Sequence, residues 1–276
     1  MTDSGGLNRL VKLIQPDEIY NLAAQSHVHV SFDQPEYTAN VDGLGATRLL
    51  EAVRTCGVPT RYYQASTSEM FGLAPGPQDE TVPFHPRSPY ACAKVFAHWT
   101  TINYREAHGI YTSCGILFNH ESPRRGENFV SRKVTRGVAA ILAGKAKDLR
   151  LGNLDPRRDW GHARDFVEAM WLMLQQEEPD DYVIGTGVSR SIRDLLDVAF
   201  GFVGLDWHDH VVHDVAYDRP ADVPELTANP AKAMAKLGWR PTTSFEDMIR
   251  EMLDNDIRAA GLDPARHLRE SDATKL

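Results

Sequence analysis

Apolar and polar positions alternate along the chain at two periods, and the changes of period mark its elements. Leu7, Leu10, Val11 and Ile14 recur at helical spacing, and Pro16-Asp17 stops that helix. Glu18 to Ala24 (EIYNLAA) is a short apolar run of strand length. Gln25 to Gln34 is polar and reads as a loop. Pro35 to Cys56 predicts a long helix with Leu44, Leu49, Leu50 and Val53 on one side, ended by Gly57-Val58-Pro59. Arg61 to Ser66 is the next strand, and the proline-rich stretch Gly72 to Arg87 is a surface loop. Pro89 to His108 predicts a helix ended by Gly109. Tyr111 to Phe118 is a strand, Asn119 to Glu127 a polar loop, and Phe129 to Ala143 a helix. Helix and strand thus alternate with short connections, which is the pattern of a parallel, doubly wound α/β sheet.

From Leu149 the texture changes. Leu149 to Trp160 is turn-rich, and Asp165 to Gln176 predicts a helix. Tyr182 to Gly185 and Val211 to His213 read as strands. Ser191 to Val203 is a helix with a serine cap, Pro220 to Trp239 holds a helix ended by Gly238, and Ser244 to Asp256 is the last helix. The division expected is 1–148 for the sheet domain, 149–261 for a smaller mixed α/β domain with interleaved segments, and 262–276 for a polar, frayed tail. A dinucleotide-binding sheet should open on a strand and a glycine-rich turn. Gly5-Gly6 follows no strand, and Gly185-Thr186-Gly187 lies far into the second region, so the sheet reads as a partial Rossmann-type one.

Composition narrows the classes. The chain has 276 residues, 42% hydrophobic and 25% charged, ordinary for a globular protein with a real core. No apolar run approaches the ~18 residues of a membrane helix, and no signal peptide is recognisable. A net charge of -8 argues against a general nucleic-acid binder. Cys56, Cys92 and Cys114 have no paired or metal-type spacing and read as free thiols of a reducing cytoplasm.

The chemistry concentrates in Ser66 to Lys94. Ser66-Thr67-Ser68-Glu69 ends a strand. Ser88 and Pro89 then open a helix on which Tyr90 and Lys94 lie one turn apart. The bland alternatives are a solvated strand end and a surface pair. The sharper reading is a tuned phenol. A free phenol has a pKa of ~10 and is a poor base at neutral pH, but a neighbouring ammonium favours the phenolate. Thr67 and Glu69, two apart in extended chain, would share a face. Thr67 could then bind a substrate hydroxyl, and Glu69 could remove a carbon-bound proton beside a ketone. Simple oxidation needs no such carboxylate, whereas elimination does.

Other polar clusters are less decided. Asn119-His120-Glu121-Ser122-Pro123-Arg124-Arg125-Gly126 is either a charged loop or a ribose and phosphate holder. Arg132-Lys133, Arg157-Arg158 and Arg219 could clamp a nucleoside diphosphate, or Arg157 to Trp160 could be a surface ion-pair cluster. His27/His29 and His208/His210/His213 lack a ligand pattern, so no metal is expected.

Taken together, Asn21 to Val28, Ser66-Thr67-Ser68-Glu69, Arg87-Ser88-Pro89-Tyr90, Asn119 to Gly126 and Arg158-Asp159-Trp160-Gly161-His162 resemble the GDP-mannose 4,6-dehydratases of the extended short-chain dehydrogenase/reductase family. The resemblance covers Thr2 to about Asp256. It implies a closed redox cycle. NADP takes hydride from C4 of GDP-mannose with Tyr90 as base and Thr67 orienting the hydroxyl. Glu69 removes the C5 proton, water leaves from C6, and hydride returns to C6. The product is GDP-4-keto-6-deoxymannose. By the same resemblance Lys94 also holds the nicotinamide ribose. Leu22, Ala23, Ala24, Gln25, Ser26, Tyr37, His120 and Arg125 would contact NADP. Asn119, Arg132, Lys133, Arg158, Arg219 and Asp222 would face GDP-mannose, with Asp222 standing where the family usually has Glu. A homo-oligomer, dimer or tetramer, is implied, with no nucleic-acid partner and no membrane.

The family also implies about sixty further residues before Thr2, carrying the first strands and the glycine fingerprint. Three readings follow. The chain is a dehydratase whose native product starts further upstream; or it is a non-catalytic remnant or partner subunit of an intact homologue; or it is another sugar-nucleotide epimerase or reductase. Glu69 beside Thr67 argues against the last. An in-frame glycine-rich segment upstream of Met1 would favour the first, and weak or absent NADP binding is expected of the 276-residue chain itself.

Overall fold

The computed structural model describes residues 1–217 and 221–269. Asp3 caps α1 (Ser4–Ile14), its carboxylate accepting from the Gly6 amide at 2.8 Å. β1 (Glu18–Asn21) stops short of the expected end at Ala24. The Asn21 side chain turns into the sheet and donates to Tyr62 Oη and Gln64 Oε1, and Leu22 leaves as loop. The segment expected to be all loop contains α2 (Val28–Asp33), capped by the His27 ring nitrogen, which accepts from the Val30 amide at 3.4 Å. A ring cap lies outside the Ser/Thr/Asp/Asn signals by which helix starts are read.

Pro35 to Cys56 is helical, as its pattern predicts, but not uniformly. A π-helical turn (Ala39–Leu44) separates α3 (Pro35–Thr38) from α4 (Gly45–Cys56). The wider turn rotates Leu44 off the core-facing stripe, so that it is 46% exposed while Leu50 and Val53 are buried. β2 (Arg61–Thr67), α5 (Pro89–His108), β3 (Thr112–Leu117), β4 (Asn119–Glu121) and α6 (Val130–Leu142) follow. β4 is a short strand inside the stretch read as loop.

The second region supplies β5 (Leu149–Leu151), β6 (Arg157–His162), α7 (Ala163–Leu174), β7 (Tyr182–Ile184), β8 (Ser189–Ser191), α8 (Ile192–Gly201), β9 (Val211–His213), β10 (Glu225–Leu226), α9 (Ala231–Leu237) and α10 (Phe245–Ala259). The main sheet is parallel with order β1-β2-β3-β7, so β7 crosses back to join the strands of the first region. Its register pairs Asn21 with Gln64, Thr67 with Leu117, and Ile116 with Val183. A second sheet runs β10-β6-β4 with β8 on β6, and β5 pairs with β9.

Both faces of the main sheet are covered, as a doubly wound sheet requires. Successive residues of β3 point opposite ways. Leu117 packs with Tyr63, Phe166, Met173 and Trp239, and Ile116 with Met70, Phe71, Phe118 and Val183. A separate core joins α6, α8 and α10 through Val134, Leu196, Phe200, Met252 and Leu253. The segment after Gly261 is not frayed where it is described. Leu262 and Leu268 pack on this core, and the Arg269 amide donates to Phe202 O at 2.7 Å. The rest of the expected tail, from Glu270, lies outside the described residues, as do Arg219 and Pro220.

Candidate active site

β2 ends at Thr67 because the chain turns there into a 3-10 turn, Ser68–Met70. Thr67 caps that turn, its Oγ1 accepting from the Glu69 amide at 3.3 Å. Thr67 and Glu69 therefore do not continue one extended strand, as their spacing suggests. They meet through the cap instead, which still brings both to the same opening. α5 starts as the sequence predicts, with Ser88 Oγ accepting from the Ala91 amide at 3.1 Å and Pro89 in the first turn. This places Tyr90 and Lys94 beside the end of β2.

These side chains line a cavity of about 820 Å³. Its walls come from Ala65 to Glu69, from Leu117 to Glu121 at the ends of β3 and β4, from α2, and from the second region at Gly152, Asn153, Arg158, Tyr217 and Asp222. It lies at the C-terminal ends of parallel strands, where open α/β sheets hold ligands.

Burial dominates the electrostatics. The Lys94 ammonium, 3% exposed, donates to Ala65 O at 3.0 Å, and burial lowers its pKa against the pull of Asp42. Burial also raises the Tyr90 phenol above its ordinary value, while the hydrogen bond to Thr67 pulls the other way. The neighbouring ammonium, expected to set the phenol, is not the larger influence on it. Lys94 Nζ lies 5.9 Å from the Tyr90 ring centre, and desolvation is the larger effect. His120 is brought down to about 4 by burial. Its Nδ1 donates to Phe118 O at 2.9 Å, and the ring stacks on Phe166 at 4.8 Å. Glu121, raised by burial, accepts from Ser131 Oγ at 2.5 Å and pairs with Arg125 at 3.1 Å.

Of the expected cofactor residues, Leu22, Ala24, Ser26, Lys94, His120 and Arg125 line the cavity. Ala23, Gln25 and Tyr37 do not. Gln25 braces the loop, its amide donating to Asp42 Oδ1 at 2.7 Å and its side chain to Thr38 Oγ1 at 3.2 Å. Tyr37 is 53% exposed on the outer surface. Of the expected substrate residues, Asn119, Lys133, Arg158 and Asp222 line the cavity. Arg132 turns away and pairs with the buried Asp256 at 2.7 Å, and Thr135 donates to that same carboxylate. Arg219 falls outside the described residues.

The Arg157 to Trp160 run is not a surface cluster. Arg158, Asp159 and Trp160 are buried, and Arg157 alone reaches the surface to Asp194 and Glu225. Asp159 accepts from the amides of Thr186, Gly187 and Ala228 and from Thr186 Oγ1. Sequence reasoning missed Asn153 and Tyr217. Gly152-Asn153 directly after β5 was the available signal, since loops at strand ends carry function. Tyr217 lies under Lys133, whose Nζ is 3.2 Å from the ring centre.

Among the described residues no group of three or more His, Cys, Asp or Glu could hold a metal ion. The donor set fits a dinucleotide. The Lys94 ammonium has three donors and spends one on Ala65 O, next to a cavity also edged by Ser26, His120 and Arg125.

Residues 1–252 match the family model for GDP-mannose 4,6 dehydratase. GDP-mannose 4,6 dehydratase 1 of Arabidopsis thaliana is 56% identical over 264 residues, covering 94% of this chain and 73% of that protein. The protein RMD of Pseudomonas aeruginosa, solved with NADPH, superposes with a TM-score of 0.85 at 24% identity, over 94% of this chain and 86% of that one; at that identity it speaks for the fold. DesIV, a dTDP-glucose 4,6-dehydratase of Streptomyces venezuelae solved with NAD, superposes with a TM-score of 0.84 at 25% identity, over 94% and 78%.

Proposed function

The chain belongs to the GDP-mannose 4,6-dehydratase family, and we propose that its cavity dehydrates GDP-mannose through Thr67, Glu69, Tyr90 and Lys94. The observation that carries this reading is the meeting of these four side chains on one cavity at a strand end. A nicotinamide dinucleotide bound beside Lys94 supplies the reversible hydride store that a redox-neutral dehydration needs. The residues expected to hold it are Leu22, Ala24, Ser26, Lys94, His120 and Arg125. NADP is proposed over NAD on family resemblance, and competitive titration of the two tests it.

The chain's own groups divide the proton work. Thr67 holds the C4 hydroxyl, and Tyr90 receives its proton as that carbon becomes a ketone. The ketone acidifies C5–H. Glu69 takes that proton, the electron pair moves toward C6, and the C6 hydroxyl leaves as water with the proton Glu69 then gives back. As C6 would be reduced, C5 would take up a proton and Tyr90 would give up the one it received, so both groups end in the state in which they began. Asn119, Lys133, Arg158 and Asp222 are proposed to hold the nucleotide sugar; Arg219 belongs to the same proposal by resemblance. An epimerase reading lacks support, because a carboxylate next to the redox hydroxyl has no work in it.

Glu69→Gln tests the reading. The NADP-loaded variant should bind GDP-mannose as before and lose dehydration by at least about a hundredfold. Unchanged turnover would refute the role of Glu69.

A second copy of the chain is the proposed macromolecular partner. Leu44 and Phe96 are about half exposed on the π turn and α5, and line an apolar groove with Pro35, Ala39 and Cys92. Phe96→Glu should lower the sedimenting mass, and an unchanged mass would place the contact elsewhere. No helix among the described residues is long and apolar enough to cross a membrane. Three free cysteines suit a reducing compartment, so the cytoplasm is the proposed location.

A further inference from the structure

We propose that Arg158 is the positioning residue for the Glu69 carboxylate, so that the elimination half of the reaction depends on it. The inference rests on the dehydratase reading above and adds a function to a residue that resemblance assigns only to the nucleotide sugar.

The Arg158 guanidinium is fixed from behind. Its Nη1 donates to the carbonyls of Arg157 at 2.9 Å and Val223 at 2.8 Å. The two carbonyls come from β6 and from the segment before β10, so the fork is held between separate parts of the chain. Its other nitrogens face carboxylates. Nε lies 3.7 Å from Glu69 Oε1 and Nη2 lies 3.8 Å from Asp222 Oδ1. The Arg158 and Glu69 side chains are only 8% and 12% exposed, so water screens this pair little.

A buried guanidinium needs compensating charge, and among the described residues Glu69 is the inner of the two carboxylates that face it. Glu69 gains an anchor from the pair. Its backbone is fixed by the Thr67 cap, but a glutamate side chain keeps several rotatable bonds beyond that point. An always-charged planar group beside Oε1, held from behind by two carbonyls and at its far end by Asp222, restricts those rotations and aims the carboxylate into the cavity. Misplacing a reacting group by about 1 Å costs on the order of a hundredfold in rate. The C4 step uses Thr67 and Tyr90, neither of which pairs with Arg158, so the two half-reactions should separate when Arg158 is changed.

The test uses the NADP-loaded protein with Arg158→Lys and Arg158→Met at saturating GDP-mannose. C4 oxidation should continue while elimination stalls, so reduced nicotinamide should accumulate in its absorbance band. Turnover should fall about a hundredfold for Met and less for Lys. Affinity for GDP-mannose, read by calorimetry, should change by less than the turnover. Raised KM with unchanged kcat and no reduced nicotinamide would overturn the inference and leave Arg158 a phosphate clamp. If Arg158→Met fails to fold, Asp222→Asn serves, because it removes the outer carboxylate and frees the guanidinium to shift. It should raise the steady level of reduced nicotinamide by a smaller factor, and an unchanged level would overturn the inference. Absence of any dehydration by unaltered protein shown to have NADP bound would instead defeat the dehydratase reading.

Discussion

The Lys94 ammonium donates to the Ala65 carbonyl at 3.0 Å and so clamps the first turns of α5 against the end of β2. The bond fixes the catalytic helix to the strand that carries Thr67. It also leaves the ammonium 5.9 Å from the Tyr90 ring centre. Burial raises the phenol above its ordinary value, and the positive charge of a bound oxidised nicotinamide would act in the opposite sense.

Tyr90→Phe should abolish C4 oxidation while leaving the fold intact. The hydroxyl borders the cavity, and the ring keeps its packing. Turnover should drop by at least about a hundredfold with no reduced nicotinamide formed, unlike Glu69→Gln. A single-turnover absorbance trace distinguishes the two variants.

Asp42 should make the fold more stable in mild acid. Its carboxyl is pushed up to about 6 by burial, against the pulls of Lys94 and the Gln25 amide, and its Oδ2 is buried without a hydrogen-bond partner. The unfolded chain binds that proton only near the ordinary value of 3.8. The native state therefore holds the extra proton between these values, and its stability falls as pH rises through the folded one. Asp42→Asn should raise the Tm by about 2–4 °C at about pH 8 and give no gain at about pH 4. Thermal melts at the two pH values check this.

Gly115→Ala should destabilise the main sheet. A Cβ there would collide with Tyr63 Oη and stand 2.8 Å from Tyr63 Cε2, on a fully buried ring. The expected cost is ~1–3 kcal/mol, read as a lower urea midpoint at unchanged slope.

Asp159→Ala should cost more, at least ~3 kcal/mol, because it leaves three backbone amides without their buried acceptor. The loss should appear in stability before activity, which marks Asp159 as a structural member of its motif. A chemical-denaturation curve and a turnover assay on the folded fraction separate the two effects.

Much of this was legible in the residues. Ser88-Pro89 and Gly109 bound α5 where they predict, and Ser191 and Ser244 cap α8 and α10 as read. These are local signals, each carried by a side chain within a turn of its target. What escaped depends on distant or unusual partners. The His27 ring cap produced α2, and the π turn exposed Leu44. Arg132 was drawn to Asp256, a residue from another helix far along the chain, and no spacing rule connects them. Burial likewise decided the Tyr90 phenol and the Asp159 carboxylate, and burial is a property of the assembled fold.

The central claim is that Glu69 takes the C5 proton while Tyr90 serves C4. Reaction of the NADP-loaded protein in heavy water, with the product analysed by NMR, tests it most directly. Product from the unaltered protein should carry solvent deuterium at C5 and the original C4 hydrogen at C6, and Glu69→Gln should introduce no deuterium at C5. Product without solvent deuterium at C5, or undiminished deuteration by Glu69→Gln, would contradict the account.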